Sequence, residues 1–375
     1  MHLAFTPQQE ALQAELRAYF AELMTGDLRA RLESHDGEYG DAYRDVVRQL
    51  GRDGWLALGW PAGYGGGGRS TLDQLIFMDE AATAGCPVPF LTINTVGPTI
   101  MRFGTPAQKE YYLPRIAAGE LHFSIGYSEP EAGTDLASLR TQAVLDGDEF
   151  VINGQKMWTS LIQHADYVWL ACRTHKEAPK HKGISVIIVP TSAPGFSWTP
   201  VRTVAGTTTS ATYYQDVRVP AGNLVGELHG GWPLITNQLN HERVALTSSA
   251  PIRLALREVT EWARATGAIE REWVRLHLAR VHAKAEFLKL INWKIATAAQ
   301  VGPAAASATK VFGTEFATEA YRLLMEVLGD AALAPGSRVE RMHRSALILT
   351  FGGGTNEVQR DIIAAAGLGL PAARR

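Results

Sequence analysis

Cysteine is nearly absent: Cys86 and Cys172 are the only two in 375 residues. Two thiols without paired spacing make neither a disulfide framework nor a zinc site, and they fit a reducing, cytoplasmic setting. Long apolar runs are missing as well. The longest candidate, Cys86 to Met101, is interrupted by Pro87, Pro89, Gly97 and Pro98, and the N-terminus MHLAFTPQQE lacks a basic region followed by an apolar one. No membrane span or secretion signal is therefore expected. Nor does one charge dominate. Lys and Arg number 36 against 38 Asp and Glu, a formal net charge of -2, and no basic run interleaves with aromatics. That excludes the electrostatic footprint of a nucleic-acid binder. What remains is a soluble globular chain, 46% hydrophobic and 20% charged, long enough for two or three packed domains and suited to a small-molecule ligand.

Thr6-Pro7-Gln8-Gln9 supplies an N-cap, a proline at the first helical position and a glutamine for a capping box. Leu12, Leu16, Phe20 and Leu23 then recur at helical spacing. Ala42 to Gly51, Thr71 to Ala84 and the segment opened by Thr105-Pro106 continue the helical pattern, so residues 1–120 are expected to form a helical domain. Within it, Gly63-Tyr64-Gly65-Gly66-Gly67-Gly68 formally satisfies G-x-G-x-x-G. Gly59-Trp60-Pro61-Ala62 precedes it, however, where a dinucleotide fold needs a buried strand, and no βαβ repeat follows. A flexible connection between helices is the reading adopted. Residues 121–225 change to strands, at Tyr167 to Cys172, Gly183 to Val189 and Tyr213 to Val219, and predict an antiparallel β domain. The loop holding His175 and His181 reads as solvated and charged rather than metal-binding. Residues 226–375 return to four long helical patterns, Leu234 to Thr266, Ile269 to Gln300, Ala304 to Leu328 and Arg338 to about Ala366, which favour a four-helix bundle. The expected class is α+β.

The most informative stretch is Leu121 to Ser160. Asp146-Gly147 and Asn153-Gly154 signal tight turns, and Phe150, Val151 and Ile152 a short strand between them. A rigid frame of this kind can aim loop hydroxyls and backbone N–H groups at one point. Tyr127, Ser128, Thr134, Thr159 and Ser160 would then hydrogen-bond a flat polar ligand while Trp158 covers a ring face. The plainer alternative is a polar loop beside a structural tryptophan.

Three segments in order, Tyr127-Ser128-Glu129-Pro130-Glu131-Ala132-Gly133-Thr134-Asp135-Leu136, Asn153-Gly154-Gln155-Lys156-Met157-Trp158-Thr159-Ser160 and Gly354-Thr355-Asn356-Glu357-Val358-Gln359-Arg360, resemble the acyl-CoA dehydrogenase family. The resemblance spans nearly the whole chain. It implies FAD between the β domain and the bundle, with Tyr127 and Ser128 at the pyrimidine side, Trp158 packed on the flavin and Ser160 near N5. Thr159 and Gly133 lie in the same motifs as further cofactor contacts, Thr134 belongs near the pyrophosphate or CoA arm, and Thr355 near the pyrophosphate and ribose. It also implies an acyl-CoA substrate and an electron-transferring flavoprotein as acceptor.

Two departures sharpen that expectation. Many members place a catalytic Glu immediately before the C-terminal Gly-Thr, where this chain has Gly353. The segment Leu239-Asn240-His241-Glu242-Arg243-Val244-Ala245-Leu246 resembles branches whose base sits on a bundle helix, with Glu242 at the matching position. Glu242 is thus the expected base. The Gly353 N–H remains able to bond the thioester oxygen; Arg243 either orients Glu242 or pairs on the surface, and His241 is a packing or surface residue. The second departure concerns oligomers. The Arg-then-Phe-Gly and Gln-Gly-Gly elements that homotetrameric relatives lend to a neighbour's FAD are replaced by Arg264-Ala265-Thr266-Gly267-Ala268-Ile269 and Glu326-Val327-Leu328-Gly329-Asp330. An unlike partner chain is expected, in a heterotetramer resembling the bacterial enzymes for steroid side-chain CoA esters. Two competing readings are a non-catalytic structural subunit and a flavin oxidase on the same fold.

Overall fold

The computed structural model describes residues 3–33, 40–206, 208–245, 247–298 and 301–371, the side chains at 33, 41 and 240–245 excepted. Six α-helices are described before the first strand: α1 (Pro7–Leu23), α2 (Gly26–Glu33), α3 (Gly40–Arg52), α4 (Thr71–Ala84), α5 (Gly97–Phe103) and α6 (Pro106–Ala117). Thr6 caps α1 in the expected box with Gln9, and Ser70–Asp73 and Thr105–Gln108 repeat the device at α4 and α6. Each cap is worth about 1 kcal/mol. Leu12, Leu16 and Phe20 are buried along one face of α1, as their spacing requires. The proline-rich stretch after Cys86 becomes a π-helical turn, Thr92–Val96, running straight into α5. Pro98 has no N–H to donate to a preceding carbonyl, which accounts for the wider turn at that point.

The glycine run is no flexible connection. N–H groups of Gly66, Gly67, Gly68 and Arg69 bond to the carbonyls of Pro61, Ala57, Trp60 and Leu58. A Cβ on Gly66 would stand 2.2 Å from the Trp60 carbonyl oxygen. The glycines are there because two backbone segments lie against each other.

The middle sheet contains β1 (Phe123–Gly126), β2 (Gln142–Asp146), β3 (Glu149–Lys156), β4 (Tyr167–Arg173), β5 (Ile184–Pro190), β6 (Phe196–Arg202), β7 (Thr208–Pro220) and β8 (Leu224–Val225). Their order is β6-β7-β3-β2-β4-β5-β8, with β1 beside β4. Pairing is mainly antiparallel; β1 runs parallel to β4, and β2 meets β4 in parallel at Gln142 and Arg173. The centres of β4 and β5 are buried on both faces, so their apolar residues run on without alternation. The Asp146-Gly147 turn joins β2 to β3, with Asp146 opposite Glu149. Asn153-Gly154 is a different feature. It lies inside β3, where the register against β7 shifts between Ile152 and Gly154. This is a β-bulge: Gly154 takes φ +147°, a Cβ there would meet Thr141 at 2.6 Å, and Asn153 exchanges two hydrogen bonds with Asp216. Strand β6 was not foreseen because Pro200 interrupts its pattern; it lies at the end of the sheet order, where a proline is tolerated.

The C-terminal helices are α7 (Gly231–Ala245), α8 (Ala250–Ala265), α9 (Glu272–Ala296), α10 (Pro303–Leu328), α11 (Arg338–Ile348) and α12 (Asn356–Ile362). Two of the four long helices expected from the sequence are each split. The first breaks before α8, where Pro251 sits in the opening turn. Ser248 Oγ there donates to Asp79 Oδ1 at 2.7 Å, and Asn292 Nδ2 holds the Thr247 carbonyl at 2.6 Å. The second breaks at Gly352-Gly353-Gly354, where Gly353 and Gly354 take positive φ. Helix α10 is central, packing against α7, α8, α9, α11 and α12.

Candidate active site

Strand β1 delivers Tyr127 and Ser128 from the sheet into a loop that is held from below. Lys156, the last residue of β3, is buried and donates to the Tyr127 carbonyl at 2.9 Å and to Glu129 Oε1 at 2.8 Å. Glu129 also accepts the N–H groups of Arg140 at 2.7 Å and Thr141 at 2.8 Å. Burial alone would raise the Glu129 carboxyl; the Lys156 ammonium and those two N–H groups outweigh it and hold the acid below its ordinary value. Burial also pulls Lys156 down, only partly offset by Glu129. The Tyr127 hydroxyl is committed inside the protein, donating to Gln238 Oε1 and accepting the Trp169 indole N–H at 3.1 Å. A ligand at this loop therefore meets the Tyr127 backbone rather than its phenol.

The Ser128 carbonyl accepts the Met157 N–H at 2.8 Å, tying the loop to the segment that follows β3. There Trp158 has φ +66° and is 57% exposed, and Leu161 has φ +59°. Left-handed backbone at two large residues is uncommon and concentrates at ligand sites. Thr159 N–H bonds to the Ser210 carbonyl, Ser160 Oγ pairs with Thr209 Oγ1 at 3.1 Å, and Ser124 Oγ holds the Ser160 carbonyl at 2.8 Å. Ser210 Oγ is buried without a hydrogen-bond partner. An open indole beside an unsatisfied buried hydroxyl fits a flat ring with polar edges. Gly133 and Thr134 lie exposed on the following loop, which Asp135 ties to Lys180 at 2.6 Å.

At the other end of the chain, Thr355 caps α12, its Oγ1 accepting from Val358 N–H. The turn before it is clamped through its carbonyls. Lys310, fully buried in α10, donates to the carbonyls of Thr350 and Gly354 at 3.0 Å each and to Asn356 Oδ1 at 2.7 Å. Gln359 Nε2 donates to the Gly353 and Gly354 carbonyls at 3.1 and 3.2 Å.

Glu242 and Arg243 fall in the last turn of α7 by backbone, and their side chains lie outside the described residues. Position 242 is one turn beyond Gln238, on the same face. Beside Leu161 opens a pocket of about 260 Å³ lined by Tyr43, Met78, Cys86, Val88 and Phe90. A wider, charged cleft of about 680 Å³ separates α1 and α4 from α8 and α9, with Asp79 among its lining. Desolvation pushes the Asp79 carboxyl up to about 6.

Lys156, Lys310, Gln238 and Ser210 carry much of this geometry, and sequence reasoning assigned none of them a role. The one usable signal was the presence of charged and amide residues within otherwise apolar strand and helix patterns.

With the site laid out, the comparisons with known proteins define its class. The chain matches the acyl-CoA dehydrogenase N-terminal domain over residues 6–120, the middle domain over 124–217 and the C-terminal domain over 229–368. It belongs to the acyl-CoA dehydrogenase family, whose members are flavin-dependent oxidoreductases. It is 67% identical to acyl-CoA dehydrogenase FadE26 of Mycobacterium tuberculosis (strain ATCC 25618 / H37Rv) across 100% of both chains. FadE29 of the same strain is 46% identical over 99% of each. Among solved structures, the ChsE4-ChsE5 complex from Mycobacterium tuberculosis contains a chain with 67% identity and TM-score 0.93, covering 100% of both chains. The Tcur3481-Tcur3483 steroid ACAD contains one with 50% identity and TM-score 0.93, again covering 100% of both. The expected helical, β and helical order is that of the family. Among the described residues, no helix is long and apolar enough to cross a membrane.

Proposed function

We propose that this chain carries FAD ring contacts and the catalytic base for α,β-dehydrogenation of a steroid side-chain CoA ester, working with an unlike partner chain. The observation that carries the flavin reading is the open, left-handed Trp158 on a rigid frame next to the unpartnered Ser210 hydroxyl. Tyr127 and Ser128 would hold the pyrimidine edge, Trp158 would pack on the ring, Ser160 would bond near N5 with Thr159 beside it in the motif, Thr134 would lie toward the pyrophosphate or CoA arm with Gly133 next to it, and Thr355 would lie toward the pyrophosphate and ribose. When bound, FAD supplies the acceptor for the hydride leaving the β-carbon.

Glu242 removes the proton from the α-carbon. The Gly353 N–H bonds the thioester oxygen as negative charge grows there, which lowers the barrier only if the donor is already fixed. Lys310 and Gln359 fix the carbonyls of that turn. The apolar pocket beyond Leu161 suits the acyl portion. The steroid class is supported by the Tcur3481-Tcur3483 steroid ACAD. The unlike partner is supported by the paired chains of both solved relatives and by the missing FAD-lending elements. In the second of those regions, Glu326 is already committed to His277 and Arg322. Electrons then pass to an electron-transferring flavoprotein in the cytoplasm.

The test is Glu242→Gln in the complex assembled with its partner chain, using cholyl-CoA as the steroid probe and butyryl-CoA as the short-chain control. Turnover should fall about a thousandfold at unchanged flavin content, the size of a lost general base. Retained turnover would assign this chain a structural role. Flavin occupancy measured alone and with the partner tests the heteromer: full occupancy alone rejects it.

A further inference from the structure

Two of the site's components come from different domains, and among the described residues a buried hydrogen bond joins them. Tyr127 belongs to the loop after β1, Gln238 to α7, and they are 111 residues apart in sequence. Behind Tyr127 the chain of polar contacts continues through Lys156 to Glu129 and the Arg140 and Thr141 N–H groups. Trp169, also buried, fixes the tyrosine oxygen from β4. Tyr127 is thus held from its carbonyl and from its hydroxyl.

Gln238 is 0% exposed, and its Nε2 has no acceptor. An unsatisfied buried amide donor costs about 1–3 kcal/mol, whereas a leucine at the same place would pack without that cost. What the glutamine provides that a leucine cannot is its oxygen, which accepts from Tyr127. The buried neighbours of Gln238 on α7, Leu234 and Ile235, provide apolar packing that resists separation but has little directional preference. The Tyr127 bond does have direction, and it fixes the helix's rotation about its axis. Rotating α7 by about 20° would move a carboxylate roughly 6 Å from the axis by roughly 2 Å, and displacements of about 1 Å can cost a hundredfold in rate.

We infer that Tyr127 and Gln238 are positioning residues for α-proton removal: their buried bond sets the rotation of α7, and with it position 242, against the frame that carries the flavin contacts. This rests on the reading of Glu242 as the base.

The experiment compares Tyr127→Phe, Gln238→Leu and the double variant in the flavin-loaded complex with its partner chain. The readouts are exchange of the α-proton of cholyl-CoA with solvent deuterium, kcat and KM, flavin content and thermal midpoint. Each single variant should slow exchange and kcat about tenfold with KM within about twofold, and the double should be no slower than either single, because one bond is being removed twice. Singles that lower the thermal midpoint but exchange at the wild-type rate overturn the inference and leave the bond a structural one. Effects that multiply in the double variant overturn it too. Glu242→Gln run alongside separates the two failures. Lost exchange in that variant with normal exchange in the pair rejects only the bridge; retained exchange rejects the base.

Discussion

Two buried lysines, one in the sheet and one in the bundle, do the same mechanical task with different chemistry. Lys156 reaches under the Tyr127–Glu129 loop, and Lys310 under the Thr350–Asn356 turn. Each secures a backbone segment bearing candidate flavin residues. Lys156 is matched by the Glu129 carboxylate, whereas the bonds Lys310 makes to its turn end on two carbonyls and an amide oxygen. The difference matters when the lysine is removed. In the sheet a buried charge is left behind; in the turn the groups left behind are neutral dipoles, two of which keep another donor, Asn356 N–H on the Thr350 carbonyl and Gln359 on the Gly354 carbonyl.

Lys156→Met should therefore have the largest effect on stability. Stranding the Glu129 carboxylate should cost about 3–5 kcal/mol, read as a lowered urea midpoint of the sheet followed by Trp169 fluorescence. The pH dependence sharpens this. In the wild type Glu129 is held below its ordinary value, so its contribution is complete above the unfolded-state pKa and is lost as pH falls through the folded one. In Lys156→Met the cation is gone and burial dominates, so Glu129 rises and protonation relieves the stranded charge. The gap between variant and wild type should shrink toward acid pH. A gap constant with pH would show that the charge on Glu129 is not what Lys156 offsets.

Lys310→Met should cost the turn less, about 1–2 kcal/mol, because the acceptors it abandons there are uncharged and mostly shared. Its local signature should be clearer than its global one: faster hydrogen exchange at the amides of Gly352 to Thr355, with the sheet unaffected. A loss equal to that of Lys156→Met would erase the distinction between the two clamps.

The sequence made some of this visible and hid the rest for physical reasons. Local chemistry was readable: the Thr6 and Thr105 caps, the buried face of α1, the Asp146-Gly147 turn and the strands of the sheet interior all depend on near neighbours. Asn153-Gly154 was misread as a turn because the same dipeptide serves a bulge, and only pairing of β3 with β7 decides between them. The break before α8 was missed because its ties, to Asp79 on α4 and Asn292 on α9, come from residues distant in the chain. The same holds for Lys156 with Glu129 and for Tyr127 with Gln238. Glu129 stood in the quoted motif without a role, since nothing nearby in sequence shows that it is an internal counter-ion. The motifs pointed to the family, which the whole-length matches establish; the residues that hold those motifs in place could be found only in three dimensions.

Recovery of much of the single variant's deficit is expected from Lys156→Met combined with Glu129→Gln, and it probes the comparison most directly. In that double variant no charge is buried at the site, methionine fills most of the lysine's volume, and the glutamine oxygen still accepts from one of the Arg140 and Thr141 N–H groups, which in the wild type bond to different Glu129 oxygens. The main losses left are the bond to the Tyr127 carbonyl and one of those two N–H bonds, about 1 kcal/mol each. Replacing both members of a buried ion pair is commonly near neutral where removing one is severe, so the double should recover most of the single variant's deficit. Recovery in stability with flavin content still reduced would separate two tasks of Lys156, neutralising Glu129 and fixing the Tyr127 backbone. Failure to recover would mean that the lysine's cost lies in packing, and the sheet and bundle clamps would then differ only in the number of bonds they make.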